Sequence, residues 1–108
     1  MRGKAAIEPI RWQTDKDGPL TEAALKRKIE CLGYSVTRYV YQADAYFPDH
    51  SHGVDKMDGV ISGRFRMVVG GQEIVLEAGD MLAVPAGVVH SAEVVGDGPV
   101  VSLDGVRV

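Results

Sequence analysis

Three histidines carry the chemistry that this sequence offers most openly. His50 and His52 are separated by one residue in FPDHSHGVDKMDGVISG, residues 47–63, and His90 follows in VVHSAEVV. In an extended strand residues two apart project to the same face, so His50 and His52 present two imidazoles to one point. His90, on another strand, would complete a facial set of three nitrogen donors. Such a set suits a single divalent Zn, Fe, Mn, Ni or Cu ion and leaves coordination positions free for water, substrate or oxygen.

The same stretch contains a conflict. On strand parity Lys56 and Asp58 share a face with Val60, while Asp55 and Met57 take the other. An ammonium about 5 Å from a divalent ion would be repelled by roughly 6–7 kcal/mol at an effective dielectric near 20. Three arrangements relieve this: Lys56 turns away and pairs with Asp58 or Asp55, Lys56 loses its proton, or the metal is held weakly or not at all. Asp58 is also short-reaching as a substitute oxygen ligand. As a plain structural pair at the rim, Lys56 and Asp58 would add little stability.

The elements that must position these groups can be read from periodicity. Residues 1–17 show little of it, although Ile7, Ile10 and Trp12 suit a short edge strand or a lid. The stretch LTEAALKRKIECLGY predicts a helix over about residues 20–32, with Thr21 as N-cap and Glu22 in the first turn. Leu25, Ile29 and Leu32 form its apolar stripe, Gly33 ends it, and Cys31 is expected to pack in the core.

From residue 34 the period changes to two. YSVTRYVYQ, GVISGRFRMVV, QEIVLE, MLAVPA, VVHSAEVV and PVVSLDGVRV alternate with turn formers such as Gly70-Gly71 and Gly96-Asp97-Gly98-Pro99. Six or seven short strands so spaced predict an all-β sandwich or barrel with a helical prelude. Alternation places one of the sets Tyr39/Tyr41 and Arg38/Val40 inside, and Phe65 and Met67 inside with Arg64 and Arg66 outside. Ala92 points inward beside His90, and Ser91 and Glu93 outward. With Val60, Met81 and Ala83 this predicts a compact, largely apolar pocket.

Two motifs make the chain resemble the cupin superfamily, in the form of a small single-domain member. GDMLAVPAGVVHSAEV follows the second cupin motif, G-x5-P-x-G-x2-H-x3-N, at Gly79, Pro85, Gly87 and His90, with Val94 in place of the Asn. The first motif, G-x5-H-x-H-x3,4-E-x6-G, is met by His50, His52 and Gly63, with Asp44 in place of the first Gly. Asp tolerates a left-handed backbone better than most residues. Lys56 stands where cupins commonly carry a metal-binding Glu. The resemblance implies a jelly-roll β-barrel of antiparallel strands over residues 34–108, residues 1–33 as an N-terminal extension, a homodimer, and a site inside the barrel mouth. Its members include dioxygenases, isomerases, epimerases, lyases, storage proteins and sensor domains, so the fold does not decide the function.

The whole chain narrows the field. Its 108 residues, 45% hydrophobic and 25% charged, fit one globular domain. A formal charge of −3 argues against nucleic acid as a partner, and Lys26-Arg27-Lys28 reads as a solvated helix face. Membrane insertion is not expected, because no apolar run approaches the roughly 18–20 residues of a spanning helix. The amino terminus lacks the apolar core of a secretory signal, and a lone cysteine forms no internal disulfide, so a cytoplasmic location is expected. Three readings remain. One is a cupin holding a divalent transition metal through His50, His52 and His90. It would act on a small oxygenated metabolite as an oxygenase, isomerase or lyase, with Lys56 and Asp58 as catalytic candidates. Another is a metal-free sugar isomerase or epimerase. The third is a non-catalytic module that binds a small ligand.

Overall fold

The computed structural model describes residues 7–108; residues 1–6 of the amino-terminal segment lie outside the described residues. Among the described residues two short helices, α1 (Thr14–Asp17) and α2 (Glu22–Cys31), precede eight strands. These are β1 (Tyr34–Tyr41), β2 (Tyr46–His50), β3 (Lys56–Ser62), β4 (Arg64–Val69), β5 (Gln72–Leu76), β6 (Met81–Val84), β7 (His90–Val95) and β8 (Val100–Arg107). They form two four-stranded antiparallel sheets, β1-β8-β3-β6 and β2-β7-β4-β5, the jelly-roll expected for the sequence.

Alternation builds the interior. β4 and β7 bury every second residue, so Phe65, Met67 and Val69 meet Ala92 and Val94 with Val60, Leu76, Leu82, Val84 and Val100. The arginines of β4 face out as expected, and Arg66 ion-pairs with Glu73 and Glu93 on its neighbouring strands. GVISGRFRMVV is two strands, because Gly63 at φ +85 turns the chain in its middle.

Helix α2 lies against the outer face of the first sheet. Thr21 caps it by accepting a hydrogen bond from the Ala24 N–H. Leu25 and Ile29 are fully buried with Tyr34, Met57, Met81 and Leu103 in a second core. A Cβ at Gly59 would come 2.8 Å from Ile29 Cδ1, so this glycine lets the helix close on the sheet. Leu32 departs from the predicted stripe and is 41% exposed. It is the C-cap, with φ −83 and ψ 0, where the chain is already leaving the helix surface that Leu25 and Ile29 bury. Cys31 is exposed rather than buried in the core, since two residues beyond Ile29 it points to the far side of the helix.

The segment before α2 is a strap rather than a lid. Ile10 exchanges both backbone hydrogen bonds with Met81, at 2.7 and 2.9 Å, and Arg11 ion-pairs with the buried Asp80. Trp12 covers the turn at Gly79 and receives Lys28 over its ring at 5.2 Å. Coverage on this side reverses the parity expected for β6. Met81 packs under the helix and Ala83 is exposed, while Leu82 and Val84 enter the barrel. MLAV gave no alternation to read, because the strand is apolar on both faces. Among the described residues, no helix is long and apolar enough to cross a membrane.

Candidate metal centre

The three histidines meet at one end of the barrel interior. His50 closes β2, His90 opens β7, and the two are register partners, with ring centroids 4.2 Å apart. His52 lies beyond the strand, its ring 4.9 Å from His50 and 5.1 Å from His90. It converges through the loop rather than by continued strand alternation, and its carbonyl accepts the Gly87 N–H at 2.9 Å. The potential ligand nitrogens of all three lie within 4.8 Å of one another.

Backbone carbonyls set two of the rings. His50 Nδ1 lies 2.7 Å from the Pro48 carbonyl and His90 Nδ1 lies 3.0 Å from that of Val88. A carbonyl only accepts, so each Nδ1 carries the proton and leaves the Nε2 lone pair for another partner. A metal-binding imidazole is usually held this way, its other ring N–H donated to a carbonyl or carboxylate that fixes the ring. Burial lowers the pKa of His90, aided by the nearby His50 and Lys56 charges against the raising effect of the Val88 hydrogen bond. Burial also lowers that of His52, with Lys56, His50 and His90 acting in the same direction. Both shifts favour the neutral, ligand-competent ring.

The rings open into a cavity of about 220 Å³. Part of the lining is aromatic and apolar: Tyr41 stacks on Phe65 at 5.4 Å and meets Phe47 edge-on at 4.9 Å, with Tyr39, Met67 and Ala92 also lining the cavity. Lys56, Asp58 and Asp104 supply the charged part, on the same sheet as the two tyrosines. The lining is thus more polar than the alternation predicted. Val60, Met81 and Ala83 do not line it: Val60 is in the barrel core, Met81 is under the helix and Ala83 faces outward.

Lys56 lines the cavity and, among the described residues, its side chain makes no salt bridge or hydrogen bond. Of the three arrangements open to Lys56, the pairing with Asp58 or Asp55 is therefore not formed. The Asp55 carboxylate instead accepts the Ala86 N–H at 2.8 Å. Asp58 is the register partner of Asp104, its neighbour across β3 and β8. Asp104, 9% exposed, accepts the Tyr41 hydroxyl at 2.5 Å and has Ser102 Oγ 2.5 Å from its other oxygen. Burial, followed by the Asp104 charge, pushes the Asp58 carboxyl up to about 7, with Lys56 opposing. The Tyr41 phenol is pushed up by burial and by Asp104.

The sequence reading did not single out Asp104. The available signal was a carboxylate within the apolar strand PVVSLDGV, on the same parity as Ser102.

Comparison with protein families matches residues 37–106 to the cupin domain, and the chain belongs to the cupin family. No match was found among curated proteins. Among solved structures, a cupin protein from Bacteroides fragilis is 23% identical, with 99% of this chain and 80% of that chain covered at a TM-score of 0.61. An RmlC-like cupin from Shewanella frigidimarina is 25% identical, covering 69% and 66% at 0.62. A mutant oxalate decarboxylase from Bacillus subtilis is 26% identical, covering 69% of this chain but 22% of that one, at 0.61. Three clustered histidines in a cupin barrel, two with Nδ1 tied to the backbone, are a donor set that fits a metal ion.

Proposed function

We propose that this cupin binds one divalent transition metal through His50, His52 and His90 and takes a small oxygenated metabolite into the adjoining cavity. The observation that carries this reading is the convergence of three donor nitrogens within 4.8 Å at the cavity wall. When bound, such an ion supplies Lewis-acid or oxygen-activating chemistry suited to an oxygenase, isomerase or lyase. The chain's own residues do the remainder. Phe47, Phe65 and Met67 exclude water from one side, Lys56 offers a cation or a proton to substrate, and Asp58 exchanges a proton near neutral pH beside Asp104. The cavity is smaller than the roughly 300–1,000 Å³ of sites for drug-sized ligands, which favours a small metabolite.

Elemental analysis of untagged protein tests the proposal, together with thermal unfolding in added Zn, Fe, Mn, Ni or Cu. Stoichiometric metal and a raised melting temperature, both lost in His50→Ala and His90→Ala, are expected. Their absence in the wild type would sink the metal reading.

The Asp58–Asp104–Tyr41 group favours a second reading, a metal-free isomerase or epimerase, because it can hold and move a proton without an ion. Isomerisation that survives chelation would select it. A non-catalytic ligand-binding role is the outcome if neither metal nor turnover is found. The proposal includes a cytoplasmic homodimer and the division into residues 1–33 and a barrel over 34–108. The exposed outer strand β1, with Val40 44% exposed, supports the dimer, which sedimentation tests.

A further inference from the structure

The charges around the cavity point to the class of its ligand, which rests on the proposed function only in that the ligand binds there. Lys56 reaches the cavity wall half-buried and has no hydrogen-bonded or ion-paired partner among the described residues. The nearby acids are committed elsewhere. Asp55 caps the Ala86 N–H, and Asp104 is held by Tyr41 and Ser102. Asp58 lies on the same strand face as Lys56, but its carboxyl is turned to Asp104, and no ion pair to Lys56 forms. Two acids placed side by side retain a proton between them, so Asp58 supplies Lys56 with only part of a counter-charge at neutral pH. The imidazoles opposite supply none. A half-buried ammonium left this way is a ready partner for an anion from solution.

The remaining walls define the anion. A single unpaired cation matches one carboxylate better than a phosphate dianion, which would call for more donors. The aromatic and Met67 surface suits a short carbon body. The Asp58–Asp104 pair disfavours a second anionic group. We propose that the cavity is selective for a small monocarboxylate, bound with its carboxylate on Lys56 and its carbon chain against Phe47, Phe65 and Met67.

The test uses full-length protein stripped of metal with a chelator, titrated at pH 7.0 and followed by amide chemical shifts. Propionate is expected to bind at least about tenfold more tightly than either propionamide or malonate. Lys56→Met should weaken propionate binding at least about tenfold, and Lys56→Arg should keep it within about threefold. Lys56→Gln replaces the Met variant if that one does not fold. The proposal is overturned if wild-type protein binds no propionate, if propionamide or malonate binds equally well, or if removing the charge leaves the affinity unchanged. Because no metal is present, loss of the metal reading through His50→Ala and His90→Ala would leave this result standing, and the reverse also holds.

Discussion

Asp58 and Asp104 stand opposite each other on β3 and β8, two carboxyls in direct register at the polar wall of the barrel. The folded protein holds a proton on Asp58 up to about pH 7, whereas the unfolded chain releases it near 3.8. The native state therefore binds more protons across that window, and this contribution to stability, fully present below pH 3.8, is lost as pH rises to 7. Asp58→Asn removes the titration. Its stability advantage over wild type should grow by on the order of 2 kcal/mol between pH 5 and pH 8, read by urea unfolding at each pH. His52 and His90, whose lowered values favour stability at higher pH, act in both proteins, so the difference reports the Asp58–Asp104 pair.

Metal affinity should depend on each of the three imidazoles. Loss of a supporting contact commonly costs about 10–100-fold, so loss of a donor, as in His90→Ala, should cost at least about 100-fold. Competition against a chromophoric chelator measures it. Equal affinity in wild type and variant would remove His90 from the ligand set.

Lys56→Glu exchanges a repelling charge for a carboxylate beside the same three rings. Metal should bind at least about tenfold more tightly, by the same competition assay. Unchanged affinity would mean that position 56 does not sense the ion.

Gly63 and Asp44 are both in the left-handed region, at φ +85 and φ 68, but only one has room for a side chain. A Cβ at Gly63 would strike the Pro99 carbonyl and come 3.0 Å from Val100 Cα, so Gly63→Ala should cost more than about 2 kcal/mol. Asp44→Gly should change stability by less than about 1 kcal/mol. Denaturant midpoints of the two variants give the comparison.

Helix α2 is held by two of its three stripe residues. Leu25→Ala should lose about 2–5 kcal/mol through the cavity it leaves, and Leu32→Ala less than about 1 kcal/mol. Similar losses at the two sites, measured by chemical denaturation, would contradict this placement.

The histidines and the barrel were legible because motif spacing and alternation act locally. Phe65, Met67 and Ala92 fall where period two puts them, and Thr21 caps where its type predicts. Legibility ended where one element depends on another. β6 is apolar on both faces because the strap and helix cover its outside, so its parity could not be read. Asp104 acquires its role only when β8 pairs with β3 and brings it to Asp58, and Lys56 is unpaired only because Asp58 turns to that partner. Both relations span nearly half the chain and leave no short-range trace.

The bond exchange between Ile10 and Met81 bears on self-association. β6 ends its sheet, and a bare strand margin is a template on which another copy can grow. At Met81 both main-chain groups are already taken by the protein's own strap, locked beside it by Arg11 and Asp80. The chain thus blocks one margin of its sheet at this point and leaves β1, with no such guard among the described residues, as the open one.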